Sequence, residues 1–123
     1  MHYIEDQAIV FTGGVRCSFD DIIAETIPMD DCIIVRLENQ GWKRTNENVV
    51  AVDYKGKILW RIPKRIHGSS ESHYVNIYRR SDTIDAYNWD GSILTLDPKN
   101  GEILAESMVY TASKRQFQKR QFI

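Results

Sequence analysis

The sequence predicts a mainly β protein, built of antiparallel meander sheets with one short N-terminal helix. Two observations predict the sheets. In residues 83–106, TIDAYNWDGSILTLDPKNGEILAE, apolar-rich runs flank Asp90-Gly91 and then Pro98-Lys99-Asn100-Gly101. Asp-Gly and Asn-Gly tolerate the positive φ of tight hairpin turns, so this stretch reads as a three-strand meander. The pattern of residues 50–61 also recurs at 94–106, where Asp53 falls on Asp97 and Gly56 on Gly101. A third observation predicts the helix. In Ser18-Phe19-Asp20-Asp21 a serine is placed to cap a helix N-terminus, and two acids follow where the helix dipole favours them.

Taken in order, residues 8–11 (AIVF) form a short apolar strand stopped by Gly13-Gly14. The helix follows, with Phe19, Ile22, Ile23 and Thr26 on one face, and Pro28 limits it. Residues 32–37 (CIIVRL) begin with an almost unbroken apolar run, as in a strand buried on both faces. A polar loop carrying Trp42 follows Asn39-Gln40-Gly41. Residues 49–54 and 57–62 form a hairpin. Residues 63–72 are a loop around Gly68-Ser69-Ser70. In 74–79 the residues alternate, with Tyr74, Asn76 and Tyr78 on one face. The meander of 83–106 then closes the folded part, and residues 107–111 extend its last strand.

The repeat is an apolar strand, an Asp, a Gly turn and then Ile-Leu-Trp. It resembles the blade repeat of quinoprotein-type (PQQ-repeat) β-propellers over about a third of the chain. Ala105 stands in the place of Trp60 in the second copy. Repeats of roughly 40–50 residues are the period of propeller blades. The resemblance implies an open, partial (half) β-propeller-like arrangement in a single domain. Residues 1–31 are its acidic strand–helix segment and 32–62 a first, incomplete blade that 8–11 could complete. Residues 74–111 are a second blade and 112–123 a basic tail. Two blades do not close a propeller. Quinoproteins hold their cofactor at the centre of a closed one, so no cofactor is expected here.

The 123 residues are 42% hydrophobic and 11% aromatic, enough for a core, with a net charge of −1. The charge is unevenly placed. Glu5, Asp6, Asp20, Asp21, Glu25, Asp30 and Asp31 face Arg16 alone in the first quarter, while Lys114, Arg115, Lys119 and Arg120 end the chain without an acid. In that tail, Lys-Arg-Gln-Phe occurs at 114–117 and again at 119–122. It reads as an arm for nucleic acid or an acidic protein, or as a terminus packing back on its own sheet. Four charges are too few for tight nucleic-acid binding.

Cys17 and Cys32 lack metal-ligand spacing and read as reduced, buried thiols. No signal-peptide pattern and no long apolar run is present, so a cytoplasmic location is expected. Catalytic patterns are thin. His67 and His73 bracket the Gly-Ser-Ser loop, but no G-x-S-x-G elbow, phosphate loop or metal triad accompanies them. Trp60 and Trp89 read as packing residues on strands, and Trp42 as either a loop anchor for a partner or a cap on the sheet.

The expected function is a non-catalytic protein-binding module. In size, in the acidity of one region and in its lack of a catalytic set, the chain is similar to the immunity proteins of contact-dependent growth-inhibition systems. That similarity implies a basic, nuclease-like bacterial toxin as partner, occluded by Asp20, Asp21, Glu25, Asp30 and Asp31, with Trp42 as anchor. The free protein would be a monomer or weak dimer, without metal, membrane or nucleic-acid partner. The alternatives are a homo-oligomer that completes a propeller by self-association, and a small hydrolase using His67 or His73.

Overall fold

The computed structural model describes residues 1–38, 46–64 and 72–108. Its described residues form three antiparallel sheets taken in chain order. The first holds β1 (His2–Ile4), β2 (Ala8–Phe11) and β3 (Arg16–Ser18). The middle sheet holds β4 (Ile23–Pro28), β5 (Cys32–Leu37), β6 (Val49–Asp53) and β7 (Ile58–Arg61). The last holds β8 (Tyr74–Arg80), β9 (Thr83–Asn88), β10 (Ser92–Leu96) and β11 (Ile103–Met108).

The mainly β expectation stands, but the expected N-terminal helix is absent. Its first residues end β3 and turn the chain, and the rest form β4, which pairs along its length with β5, from Ile23 opposite Leu37 to Pro28 opposite Ile33. Ile22, Ile23, Thr26 and Ile27 are β-branched, which favours a pleated strand over a helix. A helix of some ten residues is also marginal on its own. Without β4, β5 would have one bare edge beside the last sheet. Nor do residues 8–11 complete the middle sheet. They are the central strand of a third sheet, so the described residues form three blade-like units rather than two.

The middle sheet is apolar on both faces, and each face makes one core. Ile33, Val35, Val50 and Val52 pack with Ile9, Phe11, Cys17 and Phe19 against the first sheet. Cys32, Ile34, Val49 and Ala51 pack with Tyr74, Ile77, Ile84, Ala86, Leu94 and Leu96 against the last. Strand alternation explains the division, because neighbours in β5 and β6 point to opposite faces. Buried Asn48 joins the middle and last sheets. Its Nδ2 donates to the carbonyls of Leu37 and Tyr74, both at 2.9 Å, and its Oδ1 accepts the Tyr74 N–H at 3.0 Å.

The sequence repeat has a mechanical basis. Asp53 Oδ1 accepts the N–H groups of Lys55 and Lys57, both at 2.9 Å, and closes the β6–β7 turn. The Lys57 N–H, then that of Lys55, holds the Asp53 carboxyl below its ordinary range. Asp97 Oδ1 accepts the Lys99 N–H at 2.9 Å in the β10–β11 turn. Each turn glycine then lies on the sheet before it. A Cβ on Gly56 would come within 2.8 Å of Val15, and one on Gly101 within 2.7 Å of the Trp60 ring. Trp60 Nε1 also donates to the Pro98 carbonyl at 2.8 Å.

Two side chains lie elsewhere than the alternation suggests. A bulge between Tyr74 and Asn76 turns Tyr74 into the core, fully buried, while Tyr78 remains 50% exposed on the outer face. Trp89 is not a packing residue. It stands in the β9–β10 turn, 72% exposed.

Candidate functional site

Because every strand reverses the chain, successive turns alternate between two ends of the molecule. One end gathers residues 5–7, 19–22, 38, 46–48, 62–64, 72–73 and 89–91. Hydrogen bonds fasten these turns together. The Phe19 N–H donates to the Gln7 carbonyl, Ile23 N–H to Asp6, and Glu38 N–H to Ile22, at 2.7–2.8 Å. Arg61 donates to the Glu47 carbonyl at 2.9 Å and lies 3.8 Å from Asp20. Trp89 N–H donates to the His73 carbonyl at 2.8 Å.

This end is acidic. Asp6, Asp20 and Glu38 are exposed, and Asp21, Glu47 and Asp90 half-buried. Arg61 and Lys64 lie at this end among the described residues, while Arg36 is held by Glu25 and Arg16 by Glu5. The exposed Trp89 ring stands in the same set of turns.

The five acids expected to act together are divided by the fold. Asp20 and Asp21 precede β4, and Asp30 and Asp31 follow it. At about 3.3 Å per residue, six residues place the two pairs roughly 20 Å apart. Glu25, between them, is engaged inside the molecule. Its Oε1 accepts Arg36 Nε at 2.6 Å and the Ile77 N–H at 2.9 Å, tying the middle sheet to the last. Asp30 and Asp31 line a cleft of about 460 Å³ at the other end, with Met29, Leu59, Asp82, Arg79 and Lys99. That end mixes both signs of charge.

Trp42, His67 and the basic tail 112–123 lie outside the described residues. His73 is half-buried. Cys17 and Cys32 are buried, and burial raises both thiols above their ordinary range. Among the described residues no group of three His, Cys, Asp or Glu is placed to hold a metal ion. The sequence does not mark Asp6, Glu38, Glu47, Asp90 and Trp89 as residues of one site. The turns containing them are far apart in the chain, and only the number of strands between them brings them to one end.

Fold and turns together define a small β protein of stacked, blade-like antiparallel sheets. The chain belongs to the family described as "Domain of unknown function (DUF7957)", whose model matches residues 2–108. Among solved structures it is similar to BamB from Moraxella catarrhalis, with a TM-score of 0.61 and 14% identity. The match covers 90% of this chain and 33% of that one, so the chain spans about a third of that protein's length. The likeness is one of fold, and supports propeller-like blades. No curated protein sequence matches the chain.

Proposed function

We propose that this protein is a non-catalytic binding module whose acidic end captures a basic protein. The observation that carries the proposal is the fastened rim of Asp6, Asp20, Asp21, Glu38, Glu47 and Asp90, with Trp89 exposed beside it. A rim held by backbone hydrogen bonds loses little freedom on binding, which favours rapid, salt-sensitive association. The partner class that fits best binds or cleaves nucleic acid, since clustered carboxylates imitate phosphates. A nuclease-like toxin neutralised by occlusion of its active site is the specific form we propose, with this chain as its immunity protein.

The test is kinetic. The product of the adjacent reading frame is purified, and its association rate is measured across a salt series. Replacing Asp6, Asp20, Asp21 and Glu38 by their amides is expected to slow association about tenfold to a hundredfold at low salt and to flatten the salt dependence. An unchanged rate in that variant removes the acidic end from the mechanism.

A further inference from the structure

We infer that the outer face of the last sheet is a self-association surface. It receives the outer face of another copy's first sheet, head to tail, in a small closed ring.

The registers define both faces. In the last sheet Asp85 lies opposite Tyr78 and Thr95, Tyr87 opposite Ile93, and Thr95 opposite Ala105. These residues point away from the core that holds Ile77, Ile84, Ala86 and Leu94. Tyr78 and Tyr87 stack edge to face with centroids 4.9 Å apart. Asp85, only 3% exposed, accepts from Arg80 at 2.9 Å and from Thr95 Oγ1 at 2.8 Å. A terminal repeat that ends a stack presents a polar outer face. Among the described residues this face carries the Tyr78–Tyr87 pair beside Asn76, Arg80 and Thr95, and the Asp85 carboxylate is satisfied internally. In the first sheet, Tyr3 lies opposite Val10 and Val10 opposite Arg16, facing away from Ile9 and Phe11 in the core.

The two contacts inside the chain indicate what covers these faces, because each sets a turn glycine against the sheet before it. The turn glycine of one sheet lies on the last strand or hairpin of the sheet before it, Gly56 on Phe11 and Val15, and Gly101 on Trp60. Both faces that the described residues leave uncovered fit the next contact in that series. Val10 pairs with Arg16 as Val52 pairs with Ile58, which makes Gly14 the counterpart of Gly56. Their φ values are +86° and +88°, but Gly14 has open space where Gly56 meets a neighbour. Ala105, opposite Thr95, is the counterpart of Trp60, opposite Ala51. It is small and exposed, and Leu104 beside it is 51% exposed. The occupant that repeats the contact is therefore the turn 12–15 of a second copy laid on β11. A head-to-tail contact closes into a ring when its rotation completes a full turn, and the ring is the closed form we infer.

The experiment uses the full chain at micromolar concentration in the analytical ultracentrifuge. The wild type is expected to sediment as a closed dimer or trimer. Tyr78→Glu alters only the last sheet's face and Tyr3→Glu only the first sheet's, at side chains at least half exposed. Each variant alone is expected to be monomeric, with an unchanged circular dichroism spectrum. Mixed in equal amounts they retain one intact pair of faces, and are expected to form a one-to-one dimer and nothing larger. A monomeric wild type overturns the inference, and so does open-ended polymerisation. Association retained by either variant alone, or a mixture that stays monomeric, overturns the head-to-tail pairing.

Discussion

Trp60 fixes the last sheet on the middle one. Its ring lies so close over Gly101 that a Cβ there would come within 2.7–2.9 Å of three ring atoms. Gly101 also has a φ of +77°, which side chains disfavour. Gly101→Ala is therefore expected to cost about 2–4 kcal/mol, because backbone strain and displacement of the indole act together. Gly13 has a φ of +91° with nothing within 4 Å, so Gly13→Ala is expected to cost only the strain, about 1–2 kcal/mol. Urea unfolding of the two variants separates the effects. Equal losses would mean that the glycine–indole contact contributes nothing. The glycine, the aspartate and the Trp60 position were legible in the sequence as a repeat. Trp89 was misread because a tryptophan next to a strand looks the same whether it faces a neighbouring sheet or solvent.

At the scale of elements, two connections hold the middle and last sheets in register at their loop end. Glu25 reaches from β4 to Arg36 and the Ile77 N–H, and Asn48 reaches to Leu37 and Tyr74. Asn48 is 2% exposed, so its partners have no ready access to water when it is removed. Asn48→Ala is expected to destabilise the protein by about 2–3 kcal/mol, since Tyr74 N–H and two carbonyls lose a buried partner. Asn48→Asp keeps the acceptor but not the donor, and is expected to be no better. A thermal melt of each variant checks this, and a shift within error for Asn48→Ala would exclude the connection as a source of stability. The strands from β5 onward were legible because β-branched runs and Gly turns agree there. β4 was not, because capping residues at 18–21 and a helical spacing of apolar residues outweighed the β-branched content of 22–27. That one error hid the acidic end. With β4 read as a helix and β1 and β3 unseen, the alternation of turns could not be followed through the N-terminal third, so Asp20 and Asp30 were placed together.

Across the whole molecule, stability should be highest in the middle sheet and fall toward both outer ones. Strands β5 and β6 are buried on both faces, with Ile33, Ile34, Val35, Val49, Val50, Ala51 and Val52 all at 0% exposure. They take part in both cores, so opening either strand exposes apolar surface on two sides at once. β1 and β11 are edge strands. β11 is exposed at every residue, and Tyr3 in β1 is 58% exposed. Native-state hydrogen exchange is therefore expected to be slowest at the amides of 33–35 and 50–52, which open only with the whole molecule. It is expected to be fastest in β1 and β11. The gradient also distinguishes a free molecule from a ring. At concentrations where the chain associates, β11 and the turn 12–15 should gain protection together while β5 is unchanged, because each covers the other in the neighbouring copy. Protection gained in β11 without any change at 12–15 would mean that some other surface lies on the last sheet.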